Sequence, residues 1–171
     1  MWIEMKQLKN LDCTNKKIIV RVDLNVPVFE DKITDYSRIH AILPTLEKLT
    51  KNKNKVFLIA HFGRPKGEVN KKYSIEFLCP ELKKLSNLNK VHFLDSCDQK
   101  IIEKKISEMG FGEICLLENI RFNAEEEKND LNFSKQLSSC FDIYINDAFS
   151  ASHRNHASIT GITKYLPSYA G

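Results

Sequence analysis

The sequence predicts an α/β fold, a doubly wound and Rossmann-like parallel sheet with helices on both faces, in a single domain. Three observations carry this expectation. Short continuous apolar runs of four or five residues recur, they do not alternate with polar residues, and stretches of helical periodicity separate them. A strand covered on both faces has no solvent side to alternate toward, and helices between strands are the crossovers that parallel pairing requires. The length agrees: 171 residues, 42% hydrophobic and 28% charged, suit one domain with its own core.

The elements follow in order. The first run is Ile18 to Val22, rich in β-branched residues. Ile39, Ile42, Leu43, Leu46 and Leu49 then repeat at helix spacing behind Asp35, a residue type that caps helix N-termini. Val56 to Ala60 is the second run. Ile75, Leu78, Leu82 and Leu85 form the next helical stripe, opened by Ser74, and Val91 to Leu94 is the third run. A helix from about Asp98 is expected to stop at Gly110, ahead of the fourth run, Ile114 to Leu117. Glu125-Glu126-Glu127-Lys128 reads as a solvated turn and not as a metal site. Phe133, Leu137 and Cys140 mark a last helix behind Asp130, and Phe141 to Ile145 is the fifth run. The tail after Ile159 is left without an element. Pro44 and Pro80 fall within two helical stripes, where a missing N–H and a ring clash predict a kink or an early break.

Composition excludes several classes. No run approaches the eighteen apolar residues of a membrane span, and Met1 to Asn10 lacks the layout of a secretion signal, so a cytoplasmic protein is expected. Five cysteines, Cys13, Cys79, Cys97, Cys115 and Cys140, are widely spaced with no C-x-x-C pair, and read as reduced packing residues. The net charge of +4 suits an anionic ligand and falls short of a nucleic-acid-binding domain. His153-x-x-His156 has metal-like spacing but no Cys or carboxylate partner in its vicinity along the chain, so no metal is expected.

Of the 26 basic residues only five are arginine: Arg21, Arg38, Arg64, Arg121 and Arg154. Where lysine serves for generic charge, arginine marks positions that need a planar fork. In a parallel sheet ligands bind beyond the carboxyl ends of the strands. The first run ends in Asp23-Leu24-Asn25, the second in His61-Phe62-Gly63-Arg64, the fourth in Glu118-Asn119-Ile120-Arg121, and the fifth in Asn146-Asp147 with His153-Arg154 soon after. Arg38 opens the first helix on the same rim. Four arginines thus converge on one edge, and forked guanidinium groups there match phosphate and carboxylate oxygens. Asp23 and Asn25 add contacts suited to a hydroxyl. Any one of these arginines could equally serve a structural ion pair; four in register favour a small phosphorylated acid. Arg21, inside a strand, is expected to take an internal partner. Neither G-x-x-x-x-G-K-[ST] nor G-x-G-x-x-G occurs, which argues against a nucleotide cradle.

These residues also carry a resemblance. Arg21-Val22-Asp23-Leu24-Asn25-Val26-Pro27 resembles the opening signature of phosphoglycerate kinases, His61-Phe62-Gly63-Arg64-Pro65 their H-x-G-R-P loop, and Glu118-Asn119-Ile120-Arg121-Phe122 their E-N-x-R-F segment. Asn146-Asp147-Ala148-Phe149 and the stretch His153 to Ser158 are similar to that family's N-D-A-F and A-H-R-x-H-x-S. Phe62 stands where Leu is usual, and Ser150-Ala151-Ser152 where Gly-Thr-Ala is common. The resemblance implies that residues 1–171 are the N-terminal domain, which holds 3-phosphoglycerate or 1,3-bisphosphoglycerate. The C-terminal lobe that takes Mg-ATP or Mg-ADP is implied to lie outside this chain, which then has no cofactor of its own. It further implies that Asp23 and Asn25 meet the substrate hydroxyl, that Arg64, Arg121, Arg154 and His61 hold the phosphate that is not transferred, and that Arg38 is the catalytic residue. A monomer that binds 3-phosphoglycerate without catalysing, and that takes neither nucleic acid nor membrane, is expected. The alternative is a stand-alone phospho-acid binding domain, and a third reading is a polyanion or RNA binder, against which the lack of basic-aromatic stacking platforms counts.

Overall fold

Continuous burial on both faces decides the centre of the molecule. In the computed structural model, which describes residues 6–86, 88 and 90–171, β1 (Lys17–Val22) buries every residue from Ile18 to Val22. A short hairpin, β2 (Val28–Phe29) and β3 (Lys32–Ile33), follows. Its two-residue turn has Glu30 and Asp31 both at positive φ, the twist that tight hairpins need. Then come α1 (Ser37–Lys51), β4 (Lys55–Ile59), α2 (Leu78–Ser86), β5 (Val91–Leu94), α3 (Gln99–Glu108), β6 (Ile114–Leu117), α4 (Ala124–Glu127), α5 (Leu131–Ser138), β7 (Ile143–Asp147) and β8 (Ser168–Ala170).

Six strands form one sheet in the order β5-β6-β4-β1-β7-β8, with every pair parallel. Crossover direction sorts the helices. From β1 to β4 and on to β5 the chain moves one way, and α1 and α2 pack on one face, where Ile39, Ile42, Leu46, Leu49, Leu78 and Leu82 meet Ile18, Val20, Val22, Val56 and Leu58. From β5 back to β6 and on to β7 it moves the other way, and Ile102 of α3 and Leu137 of α5 meet Ile19, Phe57, Ile59, Cys115 and Leu117 on the opposite face. Right-handed crossovers demand this reversal of face with direction. Each such aliphatic side chain, once buried, stabilises the fold by about 1.5–3 kcal/mol relative to exposure.

Several sequence expectations need correction. α2 starts at Leu78, so Ser74 is not its cap and Pro80 lies in the first turn, where a missing N–H is harmless. α1 runs unbroken through the exposed Pro44. Asp35 stands one residue ahead of the capping position, where its Oδ1 accepts from the Ser37 N–H at 2.7 Å. Asp130 does cap α5, accepting from Phe133 N–H at 2.8 Å. Gly110 follows α3 as expected, yet it is Gly112 that takes the positive φ. The tail after Ile159 supplies the sixth strand, β8, with Tyr144 opposite Ser168 and Ile145 opposite Tyr169. The glutamate stretch is helical, and Glu126 is fully buried. All five cysteines are free thiols; burial pushes those of Cys79, Cys97 and Cys115 up to about 12, which leaves them unreactive near neutral pH. No helix among the described residues is long and apolar enough to cross a membrane.

Candidate anion site at the carboxyl ends of the strands

Strand parity brings the first pair of site residues together. Ile19 and Phe57 belong to the face covered by α3 and α5, and Arg21 and His61 follow them at even spacing on β1 and just past β4. Arg21 is opposite Ile59 in the register. Its Nη2 therefore reaches forward to His61, 2.9 Å from Nδ1, while Nε donates to Ser158 Oγ at 3.1 Å and Nη1 to the Val22 carbonyl at 2.6 Å. The expectation of an internal partner for Arg21 holds, and the partner is a predicted site residue.

The loop after β4 is fastened from the next strand. Asn119, 1% exposed, donates through Nδ2 to the Phe62 and Tyr73 carbonyls at 2.7 and 2.8 Å. Arg121 Nη1 donates to the Gly63 carbonyl at 2.9 Å, and the Gly63 N–H donates to Asn25 Oδ1 at 3.0 Å. Gly63 has φ +59°, and a Cβ there would stand 2.5 Å from the Tyr73 ring, so only glycine fits this crossing. Arg121 is buried to 5% exposure and carries Glu127 Oε1 3.1 Å from Nε. That approach is an ion pair out of line for a hydrogen bond, since Nε finds no hydrogen-bond acceptor among the described residues.

A second group forms at the end of β1. The Arg38 guanidinium and the Ser150 hydroxyl both donate to Asp23 Oδ2. Asp23 thus pairs with Arg38 and not with the nearer-in-sequence Arg21, whose guanidinium is taken up by Ser158, the Val22 carbonyl and His61. Arg64 is exposed and Arg154 half-buried; neither has an ion-pair or side-chain hydrogen-bond partner among the described residues. Arg154 lies close enough to Arg21, His61, Arg121 and His156 to perturb each of them. Burial, and then the positive charges of Arg21, Arg121 and Arg154, hold His61 down to about 2, so its ring is neutral at physiological pH. His156 is lowered by burial as well, with Glu126 opposing the shift from 3.8 Å.

A cavity of about 940 Å³ is lined by Asn25, Arg38 and Gly63 together with Val26, Tyr73 and Phe77. It lies beside the arginine cluster and does not include His61, Arg121 or Arg154. The predicted residues therefore divide into a hydroxyl-suited group at the cavity (Asn25 and Arg38, with Asp23 held by Arg38) and a group in which Arg121 and Arg154 surround the neutral His61, with the exposed Arg64 next to Gly63 in the chain. Charge carries more weight here than concavity: cations gathered around a neutral histidine suit an anion, whereas the cavity wall mixes apolar side chains with charges of both signs, among them Glu30, Asp31, Lys71 and Lys72. Sequence reasoning missed Glu126, Ser158, Asn119 and Ser150. Asn119 was in view, as the residue before Ile120 and Arg121, but nothing in its neighbourhood announced that it fastens two loops. Glu126 was hidden in a run of three glutamates, of which a helical turn must aim one inward.

Comparison with known proteins bears on the same residues. The family profile described as phosphoglycerate kinase matches residues 8–171. The phosphoglycerate kinase of Wolbachia pipientis wMel is 47% identical over 169 residues, covering 99% of this chain and 42% of the relative; that of Prochlorococcus marinus strain MIT 9312 is 50% identical over 169 residues, covering 96% and 42%. The chain thus spans about two fifths of the length of these relatives. The solved phosphoglycerate kinases of Coxiella burnetii and Pyrococcus horikoshii OT3 superpose with TM-scores of 0.85 and 0.86 at 31% and 32% identity, each over 98% of this chain and 42% of the other. Four motifs in order, one parallel sheet and a profile that runs from Leu8 to the last residue place the chain in the phosphoglycerate kinase family.

Proposed function

We propose that residues 1–171 are the 3-phosphoglycerate-binding domain of a phosphoglycerate kinase and that the chain binds 3-phosphoglycerate or 1,3-bisphosphoglycerate without catalysing phosphoryl transfer on its own. The observation that carries this reading is the cationic rim: Arg121 and Arg154 beside a neutral His61, at the carboxyl ends of four adjacent parallel strands. Like charges held together without an anion repel, so the arrangement is stable only because Glu126 and Glu127 offset part of the charge and an anionic ligand can offset the rest.

In this reading Arg64, Arg121 and Arg154 hold the phosphate that is not transferred, with His61 as an additional donor. Asn25 and Asp23 meet the substrate hydroxyl. Arg38, now on Asp23, swings to the carboxylate on which the phosphoryl group is exchanged, neutralising charge that grows during transfer. We read these residues as holding no nucleotide. The positive-φ glycines Gly63, Gly67 and Gly112 stand singly and build no run of backbone N–H groups for a phosphate chain. The nucleotide and its Mg²⁺ are therefore assigned to a second lobe outside these residues, and the chain is read as a monomeric cytoplasmic module for a small anion. Its surface excess of lysine is not read as a nucleic-acid or membrane site.

Titration of the 171-residue chain by calorimetry tests the reading. Heat is expected with 3-phosphoglycerate and none with Mg-ATP, and Arg154→Ala is expected to weaken 3-phosphoglycerate at least tenfold, the worth of one hydrogen bond to a charged group. Equal affinity for inorganic sulfate and 3-phosphoglycerate would favour the stand-alone anion sink over the substrate domain.

A further inference from the structure

Glu126 is fully buried, accepts from the Ser158 N–H at 2.8 Å and from the Ser158 hydroxyl at 2.5 Å, and lies on a four-residue helix that otherwise faces solvent. A carboxylate accepts only, so the single Ser158 hydroxyl proton is committed to it. The Ser158 oxygen is then left with lone pairs, one of which takes the Arg21 Nε–H at 3.1 Å. Arginine donates only, so Nη2, 2.9 Å from His61 Nδ1, makes that nitrogen the acceptor. Arg21 donates whatever lies behind it, so it alone sets the His61 lone pair, and what Glu126 and Ser158 settle is where Arg21 sits. The ring proton of His61 has one place left, Nε2.

We propose that Glu126 is a positioning residue for anion binding: by orienting the Ser158 hydroxyl it holds Arg21 against His61 Nδ1, so that the neutral ring keeps its proton on Nε2 and meets a phosphate oxygen as a donor. This rests on the function proposed above. The charged and titratable groups around His61 are Arg21 from β1, Arg121 from the turn after β6, and Arg154 and His156 from the segment after β7. With three guanidinium groups already there, a protonated ring would add a fourth cation to the site, and a ring protonated at Nδ1 would turn a lone pair toward the anion. The relay avoids both. It also explains why a buried carboxylate sits among cations without touching the rim itself: its charge faces Arg21, and Ser158 passes the orientation on.

The test is nitrogen-15 NMR of the imidazole groups of the 171-residue chain together with 3-phosphoglycerate titrations. The unsubstituted, ligand-free chain is expected to show His61 protonated at Nε2, bare at Nδ1, and non-titrating from pH 5.5 to 8. Glu126→Gln, whose amide can donate to the Ser158 oxygen in competition with the Arg21 Nε–H, is expected to loosen Arg21 from His61 and so to give a mixture of tautomers and about tenfold weaker 3-phosphoglycerate binding. In a His61→Ala background the same substitution is expected to cost almost nothing further, an outcome that a merely structural glutamate would not produce. Ser158→Ala, which keeps the backbone N–H on Glu126, is expected to act in the same direction and carries the test if Glu126→Gln does not fold. A ring protonated at Nδ1 with binding intact overturns the relay alone, as do additive losses in the double variant. Absence of 3-phosphoglycerate binding by the unsubstituted chain overturns the proposed function and with it the purpose assigned to Glu126.

Discussion

Gly63 shows how tightly single residues are bound into the site. Its N–H serves Asn25, its carbonyl serves Arg121, and the space where a Cβ would stand is taken by Tyr73. Gly63→Ala should destabilise the fold by about 1–3 kcal/mol through positive-φ strain and the clash, and should weaken 3-phosphoglycerate binding because both tethers shift; urea unfolding and calorimetry read the two effects. Stability unchanged by the substitution would contradict the crossing described here. His61 yields a prediction with a definite sign. Its folded-state pKa, about 2, lies below the ordinary value near 6.5, so the unfolded chain binds more protons, and the contribution of His61 to stability is present above pH 6.5 and lost as pH falls toward 2. Asp147, raised by burial, acts oppositely, losing stability as pH climbs through its folded-state value. Thermal midpoints of the unsubstituted chain and of His61→Gln, compared from pH 7 to 4.5, should converge in acid; a parallel decline would show that His61 is not the group responsible. At this scale the sequence was legible where residue type alone decides, as with the scarce arginines. It was illegible where parity decides: Arg21 and His61 meet because each falls two residues past an inward-facing neighbour, which becomes visible only with the register known.

Elements were legible through their apolar stripes and illegible where a polar side chain overrides them. Ile75 continues the stripe of α2, yet the segment is not helical there, because Glu118 accepts from the Ser74 hydroxyl at 2.7 Å and the Ile75 N–H at 2.9 Å and draws the chain into a loop. β8 carries too few apolar residues to announce itself and exists by pairing with β7. Asn54 is the strongest case of a polar residue that joins elements. Fully buried at the start of β4, it accepts from the Lys16 N–H at 2.9 Å and donates to the carbonyls of Cys13 and Leu49 at 3.2 and 3.0 Å, tying the entry to β1, the end of α1 and β4 together. Asn54→Leu leaves the buried Cys13 carbonyl without this donor, takes one of two donors from the Leu49 carbonyl and frees the partly buried Lys16 N–H, an unmet buried group costing about 1–3 kcal/mol. A loss of at least 2 kcal/mol in urea unfolding is expected, with 3-phosphoglycerate affinity of the folded fraction unchanged, since Asn54 lies at the end of the sheet away from the rim. A near-neutral effect would mean that water replaces all three partners.

For the whole molecule, alternation of strand and helix predicted a parallel sheet but not its order, because nothing local tells β5 to take the edge and leave a slot for β6. That order has a functional consequence: it sets β7, β1, β4 and β6 side by side, so that the segments carrying Arg154, Arg21, His61 and Arg121 leave one rim together. A ligand on that rim touches loops from four strands and should stabilise the sheet as one unit. Binding to the native state alone raises stability by about 2.7 kcal/mol at a hundredfold excess over Kd, which for a domain of this size is a rise of roughly 5–10 °C in Tm. Thermal scans should therefore show a single transition that 3-phosphoglycerate raises and Mg-ATP leaves in place. The rise should shrink between 50 and 300 mM NaCl, since Arg64 is exposed and Arg154 half-buried, and charges so placed are screened within about 10 Å or less. A rise with Mg-ATP of similar size would place a nucleotide site on this domain. A salt-independent rise with 3-phosphoglycerate would move the ligand off the arginine rim.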